Sequence, residues 1–298
     1  MFILFPLLLG IVQGLAEFLP VSSSGHLALF QSFFGNGLAK YDSITAFNVL
    51  LHLGTLVAVF IVYRKDLAAM LPALLSIPKK LWKHKTGIRL SHLNYDERMV
   101  ISVVVATLPL VFLKLFDIVL EKLTSFSLLD AMEQYITNQP ISVGLILIFN
   151  GLLLFFSDRL VRKERPIEDF KPLNALLVGI FQMFAILPGL SRSGSTITGG
   201  RLNGLDRPSA VRFSFLLSIP AILGSCVTEL PELFSDSSLR VGDWLIFLAA
   251  TAVACLVGLA SMKLLDYIAK KSSFKPFSYY CFAVGTLAVI GGVLLLVL

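Results

Sequence analysis

Six long apolar stretches are the feature of this 298-residue chain that most limits how it can fold. They lie at residues 43–63, 99–116, 141–157, 207–227, 243–265 and 277–298. Each is close to the roughly 20 residues that a helix needs to cross the hydrocarbon core of a bilayer. Because the chain is 56% hydrophobic and 15% charged, lipid rather than one aqueous core must surround most of it. The sequence therefore predicts an all-α integral membrane protein.

Charged residues between the apolar stretches predict how the spans are oriented. Lysine and arginine dominate 64–98, 159–165 and 263–275, which marks these segments as cytoplasmic. Acidic residues dominate the segments 117–139 and 228–242, which we expect to be external loops. Both termini are then external as well. Within the first basic segment, the stretch from Asp66 to Trp82 is apolar enough to lie along the membrane surface.

The remaining composition argues against several classes of protein. Three cysteines without the spacing of metal ligands predict neither a disulfide framework nor a zinc site. The formal net charge is +6, and the basic residues lie between apolar segments, where they set orientation and contact anionic lipid. Nucleic acid is therefore not an expected partner. The N-terminus has no basic region and no small-residue cleavage site, so we expect it to remain in the mature protein.

Polar groups interrupt the apolar sequence first at residues 10–26, GIVQGLAEFLPVSSSGH. Gln13 and Glu17 are four residues apart and share one face if this stretch is helical. The Pro-Val-Ser-Ser-Ser-Gly run that follows indicates a break in the helix. An ionisable group at membrane depth is costly and by default functional. The alternative is a capped helix end, with Glu17 at the membrane interface.

A second segment, 173–206, repeats this pattern as GIFQMFAILPGLSRSGSTITGG. At an offset of 169 residues the two motifs match at seven positions: Gly10/Gly179, Ile11/Ile180, Gln13/Gln182, Ala16/Ala185, Ser22/Ser191, Ser24/Ser193 and Gly25/Gly194. The charge pattern does not allow either motif to be a simple crossing. We therefore predict two re-entrant helical hairpins, each followed by three transmembrane helices, in repeats of opposite orientation. The repeats cover about 1–157 and 173–298, joined by a cytoplasmic linker in a single membrane domain, with the site near midplane on their pseudo-twofold axis.

The two motifs differ in the side chains that they would place at that axis. It places Ser23 opposite Arg192, and His26 opposite Ser195. The planar guanidinium of Arg192 suits two phosphate oxygens, and the Ser-Gly-Ser after it could open a half-helix whose N–H groups favour an anion. The alternative is that Arg192 only neutralises Glu17 in a structural pair.

These residues resemble the undecaprenyl-diphosphatase family of bacterial membranes, which is associated with bacitracin resistance. Gln13 and Glu17 resemble its Glu/Gln-xxx-Glu element, which Pro20–His26 follows as PVSSSGH, and Pro188–Gly194 resembles its PGxSRSG element. The resemblance implies hydrolysis of undecaprenyl diphosphate to undecaprenyl phosphate and phosphate in the plasma membrane. It also implies a divalent cation, Mg²⁺ or Ca²⁺, and a site that opens to the outer face.

The resemblance assigns roles residue by residue. The catalytic residues it implies are Glu17, Ser23, His26 and Arg192, and the metal ligands are Glu17 and Gln13. The expected phosphate contacts are Arg192 and Ser22, Ser24, Gly25, Ser191, Ser193, Gly194 and Ser195. Glutamine at the first acidic position weakens the case for an anionic ligand there.

Several alternatives stay open at this point. Ser23 and His26 are three apart, so His26 could act as a base toward Ser23 or as an acid toward the leaving group, while direct attack by water is also compatible with the motif. Inverted repeats with broken helices are also typical of secondary transporters and lipid flippases, which form the rival class. The sequence leaves the oligomeric state open, a homodimer included.

Overall fold

The computed structural model describes residues 4–34, 44–83, 93–161, 164–167, 170–235 and 241–297. Within these ranges the chain forms helices and one isolated bridge between Arg165 and Leu205. In chain order the helices are α1 Leu4–Phe18, α2 Ser23–Phe34, α3 Ile44–Val62, α4 Arg64–Lys83, α5 Tyr95–Thr124, α6 Leu128–Thr137, α7 Pro140–Ser157, α8 Pro172–Phe184, α9 Arg192–Leu202, α10 Arg207–Ser235, α11 Val241–Lys271 and α12 Lys275–Val297.

Five of these helices are long and apolar enough to cross a membrane: α5, α7, α10, α11 and α12. A sixth candidate is the bent pair of Phe47–Val62 and Arg64–Lys80, whose axes meet at 85°. Helices α1 and α8 are apolar too, but their 15 and 13 residues are fewer than a span needs. The prediction of an all-α membrane protein is confirmed.

Helix α4 turns away from α3 at Tyr63 and is fixed to the start of α5. The buried carboxylate of Glu97 accepts hydrogen bonds from Ser76 Oγ at 2.5 Å and from Lys80 Nζ at 2.7 Å. Leu71 and Leu75 on α4 remain well exposed. An amphipathic helix at a right angle to a span has the geometry expected of one that lies along the membrane surface.

The region predicted as an external acidic loop is helical, so the prediction of a loop at 117–139 is wrong. Helix α5 continues to Thr124, and α6 fills most of the remainder. Asp117 explains the difference, because its buried carboxylate accepts hydrogen bonds from Ser127 Oγ at 3.0 Å and from Leu128 N at 2.8 Å. In the sequence Asp117 looks like a loop residue, but its carboxylate accepts hydrogen bonds from backbone N–H groups at the start of α6.

Glycines let helices from the two halves of the chain pack at close range. Gly144 on α7 and Gly285 on α12 cross so closely that a Cβ on either would lie 2.6 Å from the carbonyl oxygen of the other. Helix α1 packs on α11 where Gly10 contacts Ala250, and α8 packs on α5 where Gly179 contacts Ala106. Close backbone approach through small residues is how membrane helices gain packing energy.

Helix α9 is polar in sequence yet buried along most of its length. One of its hydroxyl groups bonds within the helix, because Thr196 Oγ1 donates to Arg192 O at 2.9 Å. At its far end the fully buried Arg201 pairs with Glu164 at 2.9 Å and approaches Asp158 at 3.5 Å. These contacts hold the C-terminal end of α9 in place.

Candidate active site

The first helix break runs from Leu19 to Ser22, between α1 and α2. Ser22 has a φ of 74°, a left-handed conformation that a serine rarely adopts. Its Oγ accepts the N–H of Gly25 at 3.1 Å and lies 3.3 Å from Ser24 Oγ. The serine therefore caps α2, as the alternative of a capped helix end predicted.

The second break repeats this arrangement before α9. Ser191 Oγ accepts the N–H of Gly194 at 3.1 Å and lies 3.1 Å from Ser193 Oγ. The two turns touch, because a Cβ on Gly25 would lie 2.9 Å from Gly189 Cα. Two capped helix N-termini from distant parts of the chain thus meet, and the positive ends of both helix dipoles favour an anion there.

Glu17 is the centre of the polar network between the two turns. Its side chain is only 5% exposed, and one carboxylate oxygen forms an ion pair with Arg192. The other oxygen accepts hydrogen bonds from Gln13 Nε2 at 3.0 Å and from Ser23 Oγ at 2.8 Å. Four of the residues predicted for the site are therefore in direct contact.

The Arg192 guanidinium is shared between Glu17 and the backbone. One nitrogen pairs with Glu17, and another donates to Ser218 O on α10 at 3.2 Å. The ion pair of the structural alternative is therefore present. The Arg192 side chain nevertheless remains 20% exposed, so it is not fully enclosed by the protein.

His26 lies in the same turn but bonds to other partners. Its Nδ1 is 2.7 Å from Ser22 O, and its Nε2 is 2.8 Å from the hydroxyl of Tyr280, whose ring stacks on the imidazole. A carbonyl oxygen only accepts, so Nδ1 carries a hydrogen and Nε2 of the neutral ring accepts from Tyr280. Both ring nitrogens are occupied, and the acceptor beside Ser23 is Glu17. A role for His26 as the base toward Ser23 stays a prediction that this geometry does not favour.

The other predicted phosphate contacts differ in how open they are. Ser24 is exposed, whereas Ser193 is buried and donates to Leu19 O at 3.3 Å across the two turns. Ser195 is fully buried, and its hydroxyl has no hydrogen-bond partner within the described ranges. Ser24 is thus the open hydroxyl of the three, and Ser193 joins the turns.

Sequence reasoning missed two contributors to the network. The Nε2 atom of His52 on α3 lies 3.7 Å from Glu17 Oε2. Ser218 on α10 supplies the carbonyl that holds Arg192. The sequence does contain a signal for both residues. The segment FNVLLHLG, which begins at Phe47, resembles FSFLLSIP, which begins at Phe213. This alignment pairs His52 with Ser218.

The residues available for a cation are few. The described part of the chain holds no cluster of three histidine, cysteine or acidic side chains. Glu17 is the one carboxylate in the polar network described here, and Gln13 Oε1, one helical turn away, is a buried oxygen without a hydrogen-bond partner. Such an oxygen is suited to a hard cation, which prefers oxygen ligands.

The sequence matches a known protein family and relatives over nearly its whole length. Residues 6–287 match the family described as bacitracin resistance protein BacA. The undecaprenyl-diphosphatase of Alkaliphilus metalliredigens is 37% identical over 286 residues, which cover 95% of this chain and 96% of that protein. The undecaprenyl-diphosphatase of Halothermothrix orenii is 36% identical over 282 residues, with 95% of both chains covered.

Proposed function

The chain belongs to the bacitracin resistance protein BacA family, and we propose that it acts as an undecaprenyl-diphosphatase through Glu17, Ser23 and Arg192. The product, undecaprenyl phosphate, is the carrier lipid of cell-wall synthesis. The observation that carries the proposal is the Glu17–Arg192 ion pair, which joins two serine-capped helix starts from the two halves of the chain. A structural ion pair would need neither cap.

Arg192 and the two caps are the proposed diphosphate-binding elements. A guanidinium can bind two phosphate oxygens at once, and the two helix N-termini add positive potential in a site of low dielectric. Phosphoryl transfer requires mainly positioning and charge stabilisation, which these groups provide. When Arg192 binds the diphosphate, its pair with Glu17 opens and frees the carboxylate for chemistry.

Ser23 is the proposed nucleophile and Glu17 its base. The hydroxyl already donates to Glu17 Oε2 at 2.8 Å, so its proton moves to Glu17 as Oγ bonds to the terminal phosphorus. The bond from this phosphorus to the bridging oxygen breaks, and undecaprenyl phosphate leaves with the electron pair. Glu17 passes its proton to this leaving group and becomes an anion again. Water then attacks the phosphoserine and gives a proton to Glu17, the bond from phosphorus to Oγ breaks, phosphate leaves, and Glu17 returns the proton to Ser23 Oγ. In the alternative, water attacks directly and Ser23 orients it.

Glu17 and Gln13 are the residues that would hold a divalent cation. The free Gln13 Oε1 beside a carboxylate fits this role. When bound, the cation would neutralise charge on the diphosphate oxygens.

The same proposal includes a topology with six spans, α3, α5, α7, α10, α11 and α12, and two re-entrant hairpins, α1–α2 and α8–α9. Support comes from the matching caps of the two breaks and from the matching pairs α1 with α11 and α8 with α5. The Gly144–Gly285 crossing then lies near the pseudo-twofold axis. The site opens to the outer face, and a homodimer stays a prediction.

Cysteine labelling from either side of the membrane tests this orientation. In a chain whose three native cysteines are replaced, Lys79→Cys on α4 should react with an impermeant maleimide only after the membrane is opened. Glu133→Cys on α6 should react in intact cells, because the basic segment faces the cytoplasm. The reverse pattern would mean that the site opens inward.

Phosphate release from undecaprenyl diphosphate by the purified protein tests the activity itself. We expect turnover in detergent that stops with a chelator and returns with added Mg²⁺ or Ca²⁺, because the single positive charge of Arg192 cannot neutralise the diphosphate alone. A transporter would bind the lipid without releasing phosphate. Turnover that is insensitive to the chelator would show that hydrolysis needs no cation, and the proposed activity would stand without one.

A further inference from the structure

Asn150 connects the two turns of the site although it lies outside both motifs. It sits on α7 with no exposed surface. Its Nδ2 donates to Pro20 O in the first turn at 3.0 Å, and its Oδ1 accepts the N–H of Ser191 in the second turn at 3.3 Å. Cys281 Sγ lies 3.4 Å from the same Nδ2. One side chain therefore bridges backbone groups 171 residues apart in sequence.

We infer that Asn150 is a positioning residue that sets the distance between Ser23 and Arg192. The inference rests on the proposed function, in which Arg192 holds the diphosphate and Ser23 attacks it. Pro20 lies three residues before Ser23, and Ser191 lies directly before Arg192. Because one amide holds both backbone groups, it also fixes the position of the nucleophile Ser23 relative to Arg192, which binds the diphosphate.

The chemistry of the bridge restricts which side chain can form it. A helix break leaves backbone groups without helical partners, and burial makes an unpaired group costly. The bridge needs a donor for Pro20 O and an acceptor for Ser191 N–H, which a carboxamide supplies at once. The fit is tight, because a Cβ on Gly194 would lie 2.9 Å from Asn150 Oδ1.

The bridge also remains when the ion pair opens. Glu17 and Arg192 are the groups that rearrange when diphosphate binds, so their pair cannot hold the turns throughout the reaction. A further hydrogen bond, from Ser193 Oγ to Leu19 O at 3.3 Å, joins the two turns directly. Asn150 contacts both turns from a separate helix and is not needed to bind substrate.

Asn150 has no amide counterpart in the second half of the chain. The glycines of α7 and α12 correspond at an offset of 141, with Gly144 matching Gly285 and Gly151 matching Gly292. The same offset matches Asn150 with Gly291, which packs against the Phe33 ring. A single amide thus serves both turns, and the internal repeat could not reveal it.

Steady-state kinetics of Asn150→Leu test the inference. Leucine keeps a similar volume but forms neither hydrogen bond, so we expect kcat to fall by about 30- to 100-fold, since small misplacements of reacting groups cost up to ~100-fold. KM should change less than about threefold, because Arg192 and both caps still bind the diphosphate. Binding of undecaprenyl diphosphate to Ser23→Ala should likewise be unchanged when Asn150→Leu is added.

Ser157→Ala is the matched control. Ser157 is equally buried on α7, but its Oγ bonds only to Leu154 O of its own helix, so this variant should keep the parental kcat. If Asn150→Leu does not fold, Asn150→Asp replaces it, because aspartate keeps the acceptor for Ser191 N–H. Its kcat should still fall below the parental value at unchanged KM, because the donor to Pro20 O is lost.

Three results would overturn the inference. The first is a parental kcat in a folded Asn150 variant. The second is a joint loss of substrate binding and turnover, which would make Asn150 a purely structural residue. The third is an equal loss in Ser157→Ala. A parent protein that releases no phosphate would instead refute the proposed function, so the two failures are distinguishable.

Discussion

We expect Glu17→Gln to lower the turnover of undecaprenyl diphosphate by about two orders of magnitude or more, the loss typical of removing one catalytic electrostatic contact. Glutamine keeps the size of the side chain, but it cannot take the proton of Ser23 or bind a cation as an anion. Gln13→Glu should be tolerated and should lower the cation concentration needed for half-maximal rate. A cation titration of phosphate release for both variants and the parent measures these effects.

Glu97→Gln is the matched control for this prediction. Glu97 is another buried glutamate in an ion pair, with Lys80 at 2.7 Å, but it lies outside the site. Its replacement should lower the thermal unfolding temperature while the cation dependence stays parental. If Glu17→Gln behaved like Glu97→Gln, Glu17 would be a structural partner of Arg192 and no base.

The second large effect concerns the geometry of the phosphate clamp. Arg192→Lys keeps the positive charge but loses the planar pair of donors, so we expect kcat/KM to fall by roughly 100-fold. Lysine also cannot bond Glu17 and Ser218 O with the same fork. Steady-state kinetics in detergent measure the loss.

Arg201→Lys provides the comparison on the same helix. Arg201 lies at the other end of α9 and pairs with Glu164, so its loss should affect stability without a comparable loss of kcat/KM. Near-parental activity of Arg192→Lys would identify Arg192 as a charge balancer. The phosphate clamp would then have to consist of the two caps alone.

Local patterns predicted the helices and the polar centre of the site, while longer-range contacts escaped them. Hydropathy identified the long helices, because lipid leaves few alternatives to a helix. The spacing of Gln13 and Glu17 and the repeat with Arg192 identified the centre of the network. Helix α6 was missed, because the role of Asp117 as a cap depends on a turn ten residues away.

The partners of single polar residues were equally invisible in the sequence. His26 had a plausible partner three residues away in Ser23, yet it bonds to Tyr280, 254 residues further along the chain. In the sequence, Asn150 is a single amide within the apolar run 141–157. Only the three-dimensional packing of α2, α7 and α12 decides where these side chains bond.

The crosswise packing of α1 on α11 and of α8 on α5 has a consequence for how the protein is made. The ribosome delivers α1 to the membrane long before α11 exists, so the glycine face of α1 has no partner during most of synthesis. Glu17 is likewise synthesised long before its partner Arg192. Neither half can complete its own packing, so the N-terminal hairpin gains its final contacts only after the second half has been synthesised. The site is therefore completed late in synthesis.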